Sequence, residues 1–168
     1  AATEIEELIN ASCKIEECCV VFDFEDYADL CLLCYKSQSA DRVVYLIGSF
    51  EFQNFFNDFK DFIDEADFGE WLAYRKFKVE GIRQGKHDFK SIDVEGKAGA
   101  YLLKKLKNGK ISLKDCELSF LAYIVNNKCY FGVDFAGFEL NKSGYKIFLH
   151  PNSLRGTIAY ALIRESGF

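Results

Sequence analysis

Two cysteines stand three residues apart in CLLC, residues 31–34. Such a pair can hold zinc or cycle through a disulfide when a loop or a helix N-terminus presents both thiols. Here two leucines fill the gap inside an apolar, helically spaced stretch, so the plain reading is a core contact with both sulfurs on one buried face. A zinc site combining this pair with Cys13, Cys18 or Cys19 is the sharper alternative, and it lacks the Gly or Pro turn of a zinc knuckle. His87 and His150 are the two histidines, and neither has a Cys or His at the i+3 or i+4 spacing of a local metal site. No Ser sits in a G-x-S-x-G elbow. GKAGA, residues 96–100, is neither a P-loop nor G-x-G-x-x-G. Its glycines suit close helix–sheet packing or close approach of a nucleic-acid backbone.

The residues that could do chemistry together are cations. Arg75, Lys76, Lys78, Arg83, Lys86, Lys90 and Lys97 fall on a strand, the loop after it and the start of a helix. Lysine, arginine and helix N-termini are phosphate ligands on physical grounds. The chain has 168 residues and a net charge of −5, but that average hides a segregation. Residues 1–73 hold 4 Lys/Arg against 17 Asp/Glu, whereas residues 74–110 hold 11 against 4. Residues 111–168 are nearly balanced, with 6 against 5. A polyanion can approach the middle segment and not, broadly, the first.

The elements that must position these charges are read from periodicity. Residues 1–11 have the spacing of a helix, Cys18 to Phe24 that of a buried strand, and Asp26 that of an N-cap for a helix over 27–36. RVVYLIGSFEF, from residue 42, is β-rich. Helix, strand or strands, helix and strand make most of a βαββαβ ferredoxin-like unit that lacks its first strand. Residues 54–66 form a helix with Phe55, Phe59, Phe62, Ile63 and Ala66 inward. RKFKVEGIR then alternates, with Phe77 and Val79 one way and Lys76 and Lys78 the other. Ser91 is the expected N-cap of a helix running to about Lys107, with lysines in its last turns and Gly109 as its stop. Two strands meet at Asn126-Asn127, a pair suited to a two-residue hairpin turn. GYKIFLH, residues 144–150, is the last strand. Pro151 and a cap at Asn152 or Ser153 open a closing helix.

Seven cysteines cannot all pair, and most have apolar neighbours. The expectation is free, buried thiols in a reducing cytoplasm. No apolar run reaches the roughly 18 residues of a membrane span, and no secretion signal opens the chain.

FKVEGIRQGKHDFKSIDVEGKAGAYL, together with the run from Cys129 to Phe168, resembles the N-terminal half of THUMP-containing RNA methyltransferases, particularly the tRNA guanine-N2 methyltransferases. The resemblance spans essentially the whole chain. It is most specific at GIRQGKHDFKS and GYKIFLHPNSLRGTIAYALIR. It implies an α+β chain: an N-terminal ferredoxin-like domain over 1–53, a THUMP domain over 54–150, and a helix over 151–168 leading towards a catalytic domain. It also implies tRNA as partner near its acceptor stem and S-adenosylmethionine as the cofactor of the catalytic domain, and it maps Arg83, Lys86, His87, Lys90 and Ser91 onto the region that touches RNA; charge clustering adds Arg75, Lys76, Lys78 and Lys97 to the expected contacts. The family's Asn/Asp-Pro-Pro-aromatic motif cannot be here, because Pro151 is the sole proline. The expectation is therefore an RNA-binding module that holds no cofactor and does not itself methylate. A stand-alone protein-interaction domain with no RNA role is the alternative.

Overall fold

The structure is a computed structural model that describes residues 1–73, 76–106, 109–142 and 153–167. The chain is α+β and divides into two compact units, 44–134 and 1–43 with 135–168.

In the unit that holds residue 1, α1 (Ala2–Ile9) and α2 (Tyr27–Lys36) flank the antiparallel pair β1 (Cys13–Ile15) and β2 (Val20–Phe22). This α–β–β–α order is the interior of the expected ferredoxin-like pattern. Asp26 caps α2 as expected, its carboxylate accepting the Ala28 amide at 3.4 Å. α1 ends on Asn10, whose φ of 54° is the left-handed stop that asparagine tolerates. Leu30 and Leu33 form the buried stripe of α2, while Cys31 is exposed and Cys34 half-buried. The two leucine positions share the i, i+3 spacing of the cysteines, one residue earlier. Burying leucine removes more apolar area from water, so that stripe faces inward. Among the seven cysteines only Cys129 is buried; Cys18 and Cys31 are exposed and the rest intermediate. Burial pushes the Cys129 thiol above its ordinary value.

In the same unit, α5 (Gly156–Glu165) starts after Arg155, so Ser153 is not its cap. Asn152 and the expected strand over 144–150 lie outside the described residues. The Arg164 guanidinium holds both oxygens of Glu7, at 2.8 and 2.5 Å, tying α5 to α1. No α5 residue is buried, and Ile158, Leu162 and Ile163 are exposed.

The other unit is a five-stranded sheet with order β3-β7-β6-β4-β5: β3 (Val44–Glu51), β4 (Lys76–Gln84), β5 (Lys110–Ile111), β6 (Leu118–Val125) and β7 (Lys128–Asp134). β4 runs parallel to β5 and β6, and the other neighbours are antiparallel. Parallel strands need a crossover, and α4 (Ser91–Lys105) supplies it. α3 (Phe55–Glu65) lies beside α4. Alternation sends Phe77, Phe120 and Phe131 to the helix-covered face, where they are fully buried with Phe59, Ile63, Val94 and Leu102. Phe120 stacks on Phe131 at 5.6 Å. Each such ring contributes roughly 2–3 kcal/mol by burial.

Residues 44–51, expected to close the N-terminal unit, instead form the edge of this sheet, pairing with β7 from Val44↔Asp134 to Glu51↔Lys128. Strand propensity marks an element and not its partner. The pairing has a tight point. A Cβ at Gly132 would stand 2.2 Å from the Tyr45 carbonyl oxygen, next to the register shift between Leu46 and Gly48. Only glycine lets the two backbones approach this closely.

α4 ends at Lys105, with Leu106 as C-cap. The expected use of its terminal lysines on their own dipole differs at Lys105. Its Nζ donates to the carbonyls of Ile63, Asp64 and Ala66, at the end of α3. Gly99 turns towards the Ile111 side chain of β5, whereas Gly96 faces open space. No helix among the described residues is long and apolar enough to cross a membrane.

Candidate nucleic-acid interface

The candidate site grows from the end of β4. Side chains alternate along a strand, so Arg83 follows Phe77 and Val79 towards the helices, while Lys76 and Lys78 follow the opposite face. Nine residues of strand, at about 3.3 Å each, also put Lys76 roughly 26 Å from Gln84. Lys76 is ion-paired with Asp115. The structure thus separates Lys76 and Lys78 from the rest of the expected cluster, and Arg75 lies outside the described residues.

Arg83, Lys86, His87, Lys90, Ser91 and Lys97 do come together, around the loop from Gly85 to Lys90. The loop is anchored on the turn between β6 and β7. Asn126 has φ 52°, as the two-residue hairpin requires. Its amide donates to the Gln84 carbonyl at 2.9 Å, and the Phe52 amide donates to the Asn127 carbonyl at 2.8 Å. Gly85, at φ 104°, sits where a Cβ would meet Asn126 Oδ1 at 2.8 Å. His87 Nε2 lies 2.6 Å from the Asn126 carbonyl oxygen. Because that oxygen only accepts, Nε2 is the protonated nitrogen. His87 Nδ1 is buried and has no hydrogen-bond partner among the described residues.

Asp93 accepts the Lys90 amide at 2.8 Å, so the helix cap falls on Lys90 and not on Ser91. Ser91 is the first helical residue, and its hydroxyl accepts from Arg83 Nε at 3.4 Å. At the neighbouring helix start, Asn54 accepts the Asn57 amide, and Asp58 accepts those of Gln53 and Asn54.

Aromatic rings lie beneath two of these cations, Arg83 and Lys97. Phe89 stacks on buried Phe55 at 4.7 Å and meets Phe56 at 5.4 Å and the His87 ring at 5.1 Å. The Arg83 guanidinium lies 5.6 Å over Phe89, and the Lys97 ammonium 3.4 Å over Phe56. Charge and spacing in the sequence do not single out Phe56 and Phe89. The signal that could have found them is phenylalanine interleaved with cations and polar residues in FQNFF and HDFKS.

The charges here are available. Among the described residues Arg83, Lys86, Lys90 and Lys97 form no ion pair, whereas Lys14, Lys60 and Lys76 each do. Of the carboxylates in the same stretch, Asp93 is turned to the Lys90 amide and Glu95 to the Gly81 amide. Asp88 is exposed. Cations carried on aromatic rings, beside two helix N-termini, can take phosphate oxygens. No group of His, Cys, Asp and Glu among the described residues could hold a metal ion.

The stretch that builds this surface matches the family profile of the THUMP domain over residues 53–134. Residues 53–134 are a THUMP domain. The chain that carries this THUMP domain is 28% identical, over 137 residues, to a tRNA (guanine(6)-N2)-methyltransferase from Methanocaldococcus jannaschii. That alignment covers 77% of this chain and 36% of the relative. A tRNA sulfurtransferase from Vibrio atlanticus is 28% identical over 78 residues, 46% of this chain and 16% of the relative. The fold is similar to that of TrmN from Thermus thermophilus, with a TM-score of 0.70 at 19% identity, covering 98% of this chain and 50% of that one. The chain spans about a third of the length of the methyltransferase it matches.

Proposed function

We propose that the chain is the tRNA-binding part of a tRNA-modifying enzyme, and that its THUMP domain grips tRNA through Arg83, Lys86, His87, Lys90, Ser91 and Lys97. One observation carries this reading: four cations that form no ion pair among the described residues gather at one end of the domain, two of them resting on aromatic rings. Support comes from the relatives. A methyltransferase and a sulfurtransferase, with different chemistries, both act on tRNA by name and both match this chain. What two different chemistries share is delivery of the same class of substrate. In this reading the chain orients tRNA near its acceptor region for its own catalytic domain in the full protein. S-adenosylmethionine-dependent methylation of guanine N2 would be that domain's work, in the cytoplasm.

The test is tRNA affinity as a function of salt. Removing one cation that neutralises a phosphate should flatten the log-affinity versus log-salt slope by roughly 0.7–0.9. The Arg83→Ala, Lys86→Ala double variant should bind unfractionated tRNA more weakly and with a shallower slope. Unchanged affinity and slope would reject this surface. Equal, weak retention of tRNA and poly-aspartate would favour a protein-interaction domain.

A further inference from the structure

Arg83 and Lys97 differ from the other cations of this face in what lies behind them, and the following step rests on the reading of that face as an RNA surface. Lys86 and Lys90 are exposed on the loop, and among the described residues no ring lies beneath them. Arg83 lies on Phe89 and Lys97 on Phe56, and the two rings touch each other at 5.4 Å. Neither ring is buried like Phe55 or Phe59, the core residues of α3. Leucine would fill a half-buried apolar site as well, so core packing alone does not require phenylalanine. A ring attracts a cation with its face and holds it from one side. An ammonium held this way keeps N–H donors on its far side, and a guanidinium keeps those of its in-plane donors that no neighbour takes. Arg83 is fixed further through Nε to Ser91 Oγ, which leaves its two terminal nitrogens without a protein partner among the described residues.

We propose that Phe56 and Phe89 are positioning residues that hold Lys97 and Arg83 as a preformed pair of grips for two RNA backbone phosphates. A free lysine or arginine loses rotamer freedom when it meets a phosphate, and a cation already resting on a ring has lost much of it beforehand. The rings therefore add affinity without adding charge. Loss of a ring and loss of a cation must then leave different signatures.

The experiment measures binding of unfractionated tRNA to the full chain over a salt series. Phe56→Leu and Phe89→Leu should each weaken binding roughly two- to tenfold with the salt slope unchanged. Arg83→Gln and Lys97→Gln should weaken it and flatten the slope by about 0.7–0.9 each. Phe89→Leu should cost little more once Arg83→Gln is present, and Phe56→Leu little more once Lys97→Gln is present. Phe56→Tyr and Phe89→Tyr keep the ring and should bind as the wild type does. They also answer the objection that a leucine variant has misfolded, which thermal melts of all variants check. Leucine variants with wild-type affinity, or with losses undiminished in the glutamine backgrounds, overturn the positioning role. If the glutamine variants change neither affinity nor slope, the face is no RNA surface and the proposal falls with that reading.

Discussion

Each unit fastens the end of one helix with a single charged side chain from another helix, and the two charges are opposite. After α2 the chain turns away at Ser37, and Glu4 of α1 receives it. The carboxylate accepts the amides of Gln38 and Ser39 at 2.8 and 3.1 Å, the Ser37 hydroxyl at 2.9 Å, and the Ser39 hydroxyl. After α3 it is Lys105 that closes the turn, donating at 2.7, 2.9 and 2.7 Å to three carbonyls. The difference shows which backbone groups each exit leaves bare. A loop that folds its amides inward recruits an anion, and a helix end that presents carbonyls recruits a cation. Only the anion can be neutralised by acid.

The largest break in this comparison should come from Glu4→Leu. Glu4 is 5% exposed, and its removal strands four donors. The expected cost is about 3–4 kcal/mol, read as a lower urea midpoint with faster hydrogen exchange in residues 2–39 than in residues 44–134. Lys105→Met should cost less, about 2 kcal/mol, because Lys105 is only half-buried and the Asp64 carbonyl can turn to water. Its exchange signature should appear at the end of α3.

The smallest effect is a pH dependence. Burial by itself would raise the Glu4 carboxyl, but hydrogen bonds from Ser39, Gln38 and Ser37 outweigh it and hold the group below its ordinary value. A carboxyl lowered in the folded state contributes stability above the unfolded value of about 4.3, and loses it as pH falls through the folded one. The urea midpoint of the wild type should therefore drop on the acid side, and Glu4→Gln should flatten that drop. Lys105→Met should keep the wild-type acid slope. An acid slope unaltered by Glu4→Gln would mean that other carboxylates set it.

Much of this architecture was legible because its signals are local. Alternation marked β4, β6 and β7, helical spacing marked α3 and α4, and Asn126-Asn127 marked the hairpin. The partner of β3 was not legible, because the residues that accept it lie far along the chain. In the candidate site the cation run was visible as composition, but strand geometry divides it. Nine residues of β4 carry Lys76 away from Gln84, and alternation turns Lys78 from Arg83. Phe56 and Phe89 meet only through tertiary packing, so no window of sequence contains the pair. The cysteines at 31 and 34 had the right spacing for a buried face, and Leu30 and Leu33 had it too.

The close approach at Gly132 bears on the order in which the sheet assembles. The hairpin of β6 and β7 needs only a two-residue turn, whereas β3 must return across roughly eighty residues to reach β7. Pairings that close long loops form late and slow folding. β3 is then the last strand to dock, and it docks onto a register that the Gly132 backbone alone leaves room for. Gly132→Ala should act mainly on this final step, leaving the hairpin paired while the edge strand stays undocked. In refolding experiments it would populate a species with β6 and β7 protected and residues 44–51 still exchanging; loss of protection in all strands together would mean that the sheet forms as one body.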